Sequence, residues 1–296
     1  MQIGVVDYGV GNIANVMRCL EYVAKAETIK RVSTHKDIQA CDKIILPGVG
    51  AFGSAMEHLS ARDLDKSLCE YAKSGRYMLG ICLGMQLLFE KSYEFGEYKG
   101  LGLVEGFVAP FGSKDSIEWH IKTNMGFNDI ESKGLDSTKS YPTPNNHSIE
   151  IESRFYKVCT HPNGRESRFD TRCTPNPAPA HLVENLESIY TNIQTLYTTN
   201  NNKAQNTHLK IPHIGWNKNF IKKPHNLCAS MKDSFYLYFV HSYHVCCDTR
   251  FIIAACDYGI SFPSIIGKEN ILGIQPHPER SHEMGFKLMR DFLQLR

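Results

Sequence analysis

Residues 77–89, Tyr-Met-Leu-Gly-Ile-Cys-Leu-Gly-Met-Gln-Leu-Leu-Phe, decide the fold of this chain. The first three residues are apolar with strand propensity, whereas the last five, from Met85, have helical propensity. Cys82 stands at the predicted turn, with Gly80 and Gly84 on either side. This order is typical of a nucleophile elbow, a strand-to-helix turn whose central residue has a strained backbone and an exposed side chain. The segment therefore predicts a reactive cysteine at the end of a strand, although a glycine-flanked cysteine is by itself more often a small core residue.

The composition is that of an ordinary globular protein, with 42% hydrophobic and 22% charged residues in a chain of 296. A formal net charge of +2 argues against a nucleic-acid-binding surface. The ten cysteines form no CxxC pairs, which argues against a disulfide scaffold. The N-terminus lacks a basic leader, and no stretch approaches 18 uninterrupted apolar residues. We therefore expect a soluble, cytoplasmic protein that binds neither nucleic acid nor a membrane.

Strand-like and helical runs alternate through the first hundred residues. The predicted strands are Ile3 to Tyr8, Lys43 to Leu46 and Tyr77 to Cys82, and the predicted helices are Asn12 to Lys25 and Ala55 to Lys73. This βαβ order predicts an α/β fold, in which a mostly parallel central sheet is flanked by helices on both faces.

Residues 112–210 differ in character from the rest of the chain, because Ser, Thr, Asn and Pro are scattered through them and one helix, Leu182 to Tyr197, is the clearest periodic run. A segment this long with little patterning predicts a large irregular insertion, partly disordered or loosely folded. Regular patterning resumes at Ile211. It predicts strands at Phe235 to Val240, Phe251 to Cys256 and Ile271 to Gln275, then a helix from Ser281 to Leu295. Residues 1–111 and 211–296 would together form one domain.

A thiol nucleophile needs a base and a group that orients the base. The best candidate is Gln275-Pro276-His277-Pro278-Glu279, because His277 would stand at the carboxyl end of a strand with Glu279 two residues on. A histidine between two prolines is also common in surface turns, so this motif alone leaves both interpretations open.

The segment from Leu46 to Gly53 has three glycines between a strand and a helix. Such a loop can direct backbone N–H groups at one point and form an oxyanion hole. It could equally be a phosphate cradle or a tight turn, but it lacks the GK[ST] ending of a P-loop.

The histidines and cysteines from His241 to Cys247 suggest a metal site as a further alternative. On a strand, His244 and Cys246 would share one face and His241 would lie on the other, so the set does not converge. We therefore expect no metal site and no cofactor, and we place Cys246, Cys247 and Cys256 in the core.

Several motifs together resemble the class I, triad-type glutamine amidotransferases. They are Asp7-Tyr8-Gly9-Val10-Gly11-Asn12, Pro47-Gly48-Val49-Gly50-Ala51-Phe52, Gly80 to Gln86, Pro212-His213-Ile214-Gly215-Trp216-Asn217, Phe239-Val240-His241-Ser242-Tyr243 and Gly273 to Phe292. Within that family the chain is most similar to the glutaminase subunits of imidazole glycerol phosphate synthases. The resemblance spans residues 1–111 and 211–296 and implies a flavodoxin-like fold.

The resemblance also implies roles for individual residues. Cys82 would attack the side-chain amide of glutamine, with His277 as base and Glu279 as its orienting group. The oxyanion hole would comprise Val49, Gly50 and the backbone N–H of Leu83. The residues that position glutamine would be Gly48, Gln86, His241, Ser242 and Tyr243.

The implied partner is a (β/α)₈ cyclase subunit that receives the ammonia through a shielded channel. The residues near this partner would be Asn12, Asn15, Trp216, Tyr238 and Arg280. Two alternatives stay open: a paralogue that supplies ammonia to a sugar-modifying synthase, and a non-catalytic subunit that uses the insertion to recruit a partner.

The chain departs from the family pattern at three places. Pro276 replaces an aromatic residue before the catalytic histidine, and Arg280 replaces a lysine. The long segment 112–210 replaces a short turn next to the expected partner surface. These differences put the strand-end geometry and standard docking in question.

Overall fold

The structure is a computed structural model that describes residues 1–123 and 210–296. In these residues the strands are β1 (Gln2–Val6), β2 (Thr28–Val32), β3 (Lys43–Gly48), β4 (Met78–Cys82), β5 (Phe89–Ser92), β6 (Tyr98–Lys99), β7 (Val104–Pro110), β8 (His213–Ile221), β9 (Ser234–His241), β10 (Tyr243–Cys247), β11 (Ile252–Tyr258), β12 (Ile260–Lys268) and β13 (Ile271–Ile274). The helices are α1 (Ile13–Val23), α2 (His35–Gln39), α3 (Phe52–Ser60), α4 (Leu64–Lys73), α5 (Leu83–Leu87), α6 (Lys114–Thr123) and α7 (His282–Gln294). Short 3₁₀ turns lie at Asn226–Cys228, Thr249–Phe251 and Pro278–Arg280.

Nine strands form the central sheet in the order β2-β1-β3-β4-β13-β12-β11-β8-β9. The first five strands in this order pair in parallel, and the remaining four continue the sheet antiparallel. The predicted α/β fold class is confirmed, with a mixed sheet. Strands β1, β3, β4 and β13 of its parallel half were predicted, whereas the edge strand β2 was not. Strand β13 comes from the end of the chain and lies between β4 and β12, next to the predicted elbow.

Helices cover both faces of this sheet and bury a separate core on each. On one face, α1 and α7 contribute Leu20 and Phe292, both fully buried. On the other face, α3 and α4 contribute Phe52 and Tyr71. Because buried strands contact apolar side chains on both sides, β3 and β4 have no exposed residues. The elbow strand is therefore held rigidly at the middle of the molecule.

A second sheet, ordered β10-β7-β5-β6, packs beside the first. The chain leaves the central sheet at His241 and enters this smaller sheet at Tyr243, so Ser242 alone forms the corner. Backbone N–H of Phe111 donates to the carbonyl of Ser242 at 3.4 Å. This corner places the His-Ser-Tyr motif at the junction of the two sheets.

The prediction of one continuous helix over Ala55 to Lys73 was wrong. Asp63 adopts a left-handed conformation, with φ of 52°, and separates α3 from α4. The two helices contact each other, and the break allows each of them to bury its own apolar face. Sequence periodicity missed the break because the residues between the helices have ordinary helix propensity.

The first part of the predicted insertion forms α6, which packs against the smaller sheet. Trp119 is buried and its indole N–H donates to the carbonyl of Cys247 at 2.8 Å. The predicted helix from Leu182 to Tyr197 lies outside the described residues, so the division into one domain and an insertion stays a prediction.

Lys43 joins strand β3, early in the chain, to the end of helix α7. Its ammonium donates to the carbonyls of Phe292, Leu293 and Leu295, at 2.7 to 2.9 Å. Carbonyls in the last turn of a helix lack intrahelical partners, so a buried cation satisfies the C-terminus of α7. Hydrogen bonds from Lys43 thereby link strand β3 to the end of helix α7.

Candidate active site

Cys82 lies where β4 ends and α5 begins, with φ of 53° and ψ of −113°. The predicted backbone strain is confirmed, because a positive φ is rare for a residue with a side chain. The expectation of an exposed side chain was wrong, since Cys82 is only 7% exposed. The carbonyl of Val240 lies 3.9 Å from Sγ, and the amide Nε2 of Gln275 lies 3.6 Å from it.

Glycines let the elbow sit against the neighbouring strand. Gly48 is the register partner of Cys82, and a Cβ at Gly48 would lie 2.8 Å from the backbone nitrogen of Gly84. A Cβ at Gly84 would lie 1.8 Å from the carbonyl oxygen of Leu46. Such distances exclude any side chain, so both glycines are required for the close approach of backbone to backbone.

His277 and Glu279 form the second part of the site, directly after β13. Nδ1 of His277 donates to Oε1 of Glu279 at 2.8 Å, and both side chains are buried. Nε2 of His277 makes no hydrogen bond within the described residues. Burial lowers the pKa of His277, but its interactions with Cys82 and Glu279 outweigh burial and raise the pKa to about 10. The imidazole is thus oriented by one carboxylate and interacts electrostatically with Cys82.

Pro276 does not disturb this strand end. The residue before it, Gln275, donates its backbone N–H to the carbonyl of Ser264, and His277 donates its own to the carbonyl of Tyr238, both at 2.8 Å. Proline lacks a backbone N–H of its own, but the backbone N–H groups of the residues before and after it still donate.

The glycine-rich loop follows β3 and stands beside the elbow. Gly50 has a φ of 95°, with open space where a Cβ would be, and Val49 is partly exposed. Leu83 is the first residue of α5 and is buried. Because Gly48 pairs in register with Cys82, the loop begins next to the thiol. The predicted oxyanion residues therefore flank the nucleophile on two sides.

Gln86 and Tyr243 meet at the base of the site. The amide nitrogen of buried Gln86 donates to the carbonyl of Tyr243 at 3.2 Å and to Oε1 of Gln275 at 3.0 Å. His241 is also buried, but its ring contacts His213 and the carbonyl of Tyr243. The backbone of Tyr243, and not the ring of His241, is the group that contacts Gln86.

Sequence reasoning missed Glu94, which belongs to the same region. Its carboxylate accepts a hydrogen bond from the backbone N–H of Phe52, and burial raises its pKa although that hydrogen bond lowers it. The negative charge of Glu94 adds to burial in raising the pKa of Tyr243. The signal that identifies Glu94 is a buried carboxylate that forms no ion pair among residues 1–123 and 210–296, and only the three-dimensional structure reveals it.

Three of the predicted partner residues form one cluster on the surface. Trp216 is 46% exposed and packs edge-on against Tyr238, with ring centroids 6.1 Å apart. The guanidinium of Arg280 lies 5.3 Å from the centre of the Tyr238 ring. Asn12 and Asn15 lie at the start of α1, which contacts the turn Pro278–Arg280.

The histidines and cysteines of β10 have other partners. Nε2 of His244 lies 2.7 Å from the hydroxyl of Ser116 on α6, and Cys246 and Cys247 are buried, as is Cys256 on β11. Residues 1–123 and 210–296 contain no group of three or more side chains arranged to ligate a metal.

Two family models match the chain on either side of its middle. Residues 4–132 match the CobB/CobQ-like glutamine amidotransferase domain, and residues 185–295 match the class I glutamine amidotransferase domain. The imidazole glycerol phosphate synthase subunit HisH of Wolinella succinogenes is 34% identical, over 99% of both chains. This chain belongs to the HisH family. The HisH proteins of Helicobacter hepaticus and Methanocaldococcus jannaschii are 32% and 30% identical, over 100% and 99% of this chain and 99% of each relative.

Solved structures agree with the fold of this HisH-family chain. A structure described as a glutamine amidotransferase matches with a TM-score of 0.54 at 12% identity, over 99% of this chain and 97% of the other. The PurLQS structure from Thermotoga maritima gives a TM-score of 0.53 at 12% identity, with the same coverage. The family predicted from the motifs is confirmed, and the chain is a glutamine amidotransferase. In the part of the chain that the structure describes, no helix is long and apolar enough to span a membrane.

Proposed function

We propose that this chain is the glutaminase subunit of an imidazole glycerol phosphate synthase and that Cys82, His277 and Glu279 are its catalytic triad. The observation that carries the proposal is the 2.8 Å hydrogen bond from His277 to Glu279, just after β13, the strand that pairs in parallel with the strand ending at Cys82. A nucleophile, a base and an orienting carboxylate are the set that acyl transfer requires.

The chemistry follows from these three groups. Nε2 of His277 takes the thiol proton, and Sγ of Cys82 attacks the amide carbon of glutamine to form a tetrahedral intermediate. His277 then returns the proton to the departing nitrogen, which leaves as ammonia and gives a glutamyl thioester. Water, deprotonated by His277, hydrolyses the thioester to glutamate and restores the thiol. Glu279 stabilises the imidazolium that forms in each half of the cycle.

The intermediate carries negative charge on its oxygen. We assign its stabilisation to backbone N–H groups of Val49, Gly50 and Leu83, because the loop and the start of α5 flank the thiol. Donors fixed by the protein stabilise such a charge without having to reorganise.

Glutamine also has charged groups at its other end. We assign its α-ammonium to Glu94, since a buried carboxylate without a cation is costly until a cation binds. Gly48, Gln86 and the corner from His241 to Tyr243 would position the rest of the substrate, with Tyr243 and Gln86 already in contact.

The ammonia is proposed to pass to a (β/α)₈ cyclase subunit, which makes imidazole glycerol phosphate and AICAR from PRFAR. The exposed cluster of Trp216, Tyr238 and Arg280 suits such an interface, because aromatic residues and arginine are enriched where proteins dock. Together with Asn12 and Asn15 it would contact the partner. A shielded route keeps ammonia unprotonated and nucleophilic.

The triad is tested with the chain assembled with its cyclase. Glutamate release from glutamine should fall at least a thousandfold in Cys82→Ala, because no other group supplies the nucleophile. Cys69→Ala is the matched control, since Cys69 is a partly buried cysteine outside the site. Undiminished glutamate release in Cys82→Ala would refute the triad.

The destination of the ammonia is tested separately. The gene should restore growth without histidine to a bacterium that lacks its own HisH, when the matching cyclase is co-expressed. Growth failure alongside normal glutamate release would favour a sugar-modifying synthase as the acceptor.

A further inference from the structure

Two buried histidines outside the triad lie in direct contact. Nδ1 of His213, on β8, is 3.0 Å from Nε2 of His241, at the end of β9. A hydrogen bond between two imidazoles requires one ring to donate and the other to accept, so each ring has a defined tautomer. The hydrogen bonds around the two rings show which nitrogen of each ring has the proton, starting from Asn217.

The side-chain amide of Asn217 has a fixed orientation beside His213. Its Oδ1 accepts from the backbone N–H of Lys218 at 2.7 Å, and its Nδ2 donates to the carbonyl of Asp257 at 3.0 Å. These two contacts fix the orientation of the amide. Nδ2 also lies 3.3 Å from Nε2 of His213, which must therefore be an acceptor. The proton of His213 is on Nδ1 and is donated to His241.

The hydrogen bonds from His241 onward fit the same direction of donation as far as Cys82. His241, accepting at Nε2, has its proton on Nδ1 and donates to the carbonyl of Tyr243 at 2.8 Å. Gln86 donates to that carbonyl and also to Oε1 of Gln275. This leaves Nε2 of Gln275 free to donate to Sγ of Cys82, 3.6 Å away.

We propose that Gln275 is a positioning residue that directs an N–H at the Cys82 sulfur. The neutral His213–His241 pair fixes the Tyr243 carbonyl, which accepts from Gln86, and Gln86 in turn donates to Gln275. The inference rests on the proposed role of Cys82 as nucleophile. When His277 removes the thiol proton, the sulfur becomes an anion in a buried site. The fixed amide N–H of Gln275 then stabilises the anion, which the carbonyl of Val240 opposes.

Burial is consistent with neutral rings. Burial lowers the pKa of His213 to about 4, and it is the main cause that lowers the pKa of His241 to about 3. The surrounding side chains are aromatic: His213 stacks between Phe239 and Tyr258, and Phe111 and Phe262 pack against His241.

The first experiment uses Gln275→Glu in the complex with the cyclase. Glutamate keeps an acceptor for Gln86 but removes the donor to Cys82 and brings a like charge near the thiolate. We expect kcat for glutamine hydrolysis to fall about tenfold to a hundredfold, with KM changed less than threefold, and alkylation of Cys82 by iodoacetamide to slow. Gln275→Met, similar in volume but without either bond, should fall between wild type and Gln275→Glu. Equal kcat in Gln275→Glu and wild type would refute the role of Gln275.

The second experiment tests the histidine pair. His213→Phe keeps the stacking with Phe239 and Tyr258 but removes the hydrogen bond to His241, and kcat should fall about threefold to tenfold. Tyr258→Phe keeps the same stack and loses only its hydroxyl bond to the carbonyl of Lys210, so its kcat should equal that of wild type. Nitrogen-15 NMR of the labelled histidines at pH 7 should show protons on Nδ1 of both rings. A proton on Nε2 of either ring would refute the assigned direction.

Cys82→Ser distinguishes an error in the triad from an error in the positioning network. If Cys82→Ser retains full glutaminase activity, the triad itself is wrong. If Cys82→Ser is inactive while Gln275→Glu and His213→Phe match wild type, only the positioning network is refuted.

Discussion

The imidazole of His282 lies flat against the indole of Trp216, with ring centroids 5.4 Å apart and planes tilted by 3°. His282 opens helix α7 with a φ of 46°, a conformation that L residues rarely adopt. The strained histidine thus supports the most exposed ring of the cluster that we assign to the partner interface.

Removing the His282 ring should weaken docking of the cyclase. A ring pair contributes about 0.5–1.5 kcal/mol, so His282→Ala should raise the Kd for the cyclase about twofold to tenfold in isothermal titration calorimetry. The fluorescence of Trp216 should shift to longer wavelength, because its indole loses the covering ring and contacts more water. The shift can be attributed to Trp216 because Trp119, the second of the two tryptophans, is buried.

Tyr22→Ala is the matched control for His282→Ala. Tyr22 is an exposed aromatic residue near the far end of α1, and it also has a ring partner, Phe286 at 4.6 Å. Its loss should leave the Kd unchanged. An equal loss of affinity in both variants would contradict a specific role of His282.

Replacing the buried carboxylate of Glu94 should weaken glutamine binding. Hydrogen bonds to charged groups contribute about 1.5–3 kcal/mol, so Glu94→Gln should raise KM for glutamine about tenfold to a hundredfold in steady-state assays of the complex. Glu97→Gln, in the same loop but exposed and paired with Lys91, should leave KM unchanged. A KM for Glu94→Gln equal to that of wild type would remove Glu94 from the substrate site.

The His277–Glu279 pair should make stability depend on pH. Folding raises the pKa of His277 from 6.5 to about 10, through its interactions with Cys82 first and with Glu279 second. The stability that these interactions give is therefore complete below pH 6.5 and is lost as pH rises through 10. Glu279→Gln should lower the free energy of unfolding by about 2 kcal/mol at pH 6, measured by urea denaturation. The difference from wild type should narrow toward pH 10, and a constant difference across this range would argue against a charged pair.

Gly84 and Gly50 should respond differently to an added methyl group. Gly84→Ala would place a Cβ against the Leu46 carbonyl and should destabilise the fold by about 3 kcal/mol or more. Gly50→Ala meets no atom within 4 Å and should cost about 1–2 kcal/mol, because of its positive φ alone. Urea denaturation of the two variants measures both values, and similar losses would contradict the tight contact at Gly84.

Local patterns were enough to predict four of the five parallel strands and the elbow, because each depends on residues close together in the chain. The edge strand β2 was missed because only Val32 of its five residues is buried, so it has no apolar run. Cys82, His277 and Glu279 were found through short motifs of this kind. The burial of Cys82 was missed because Val240 and Gln275 cover it from distant segments. Glu94 was missed because its neighbours in the chain do not distinguish it from other loop carboxylates. Its hydrogen bond comes from the backbone N–H of Phe52, which is distant in the sequence.

The position of β13 has a consequence for how the protein is made. On the ribosome, β4 is synthesised early and remains an open sheet edge until Ile271 to Ile274, far later in the chain, emerge and pair beside it as β13. His277 and Glu279 follow β13 directly, and the carbonyls that accept hydrogen bonds from Lys43 are translated later still. A nascent chain that stops short of β13 therefore contains the proposed nucleophile without its proposed base.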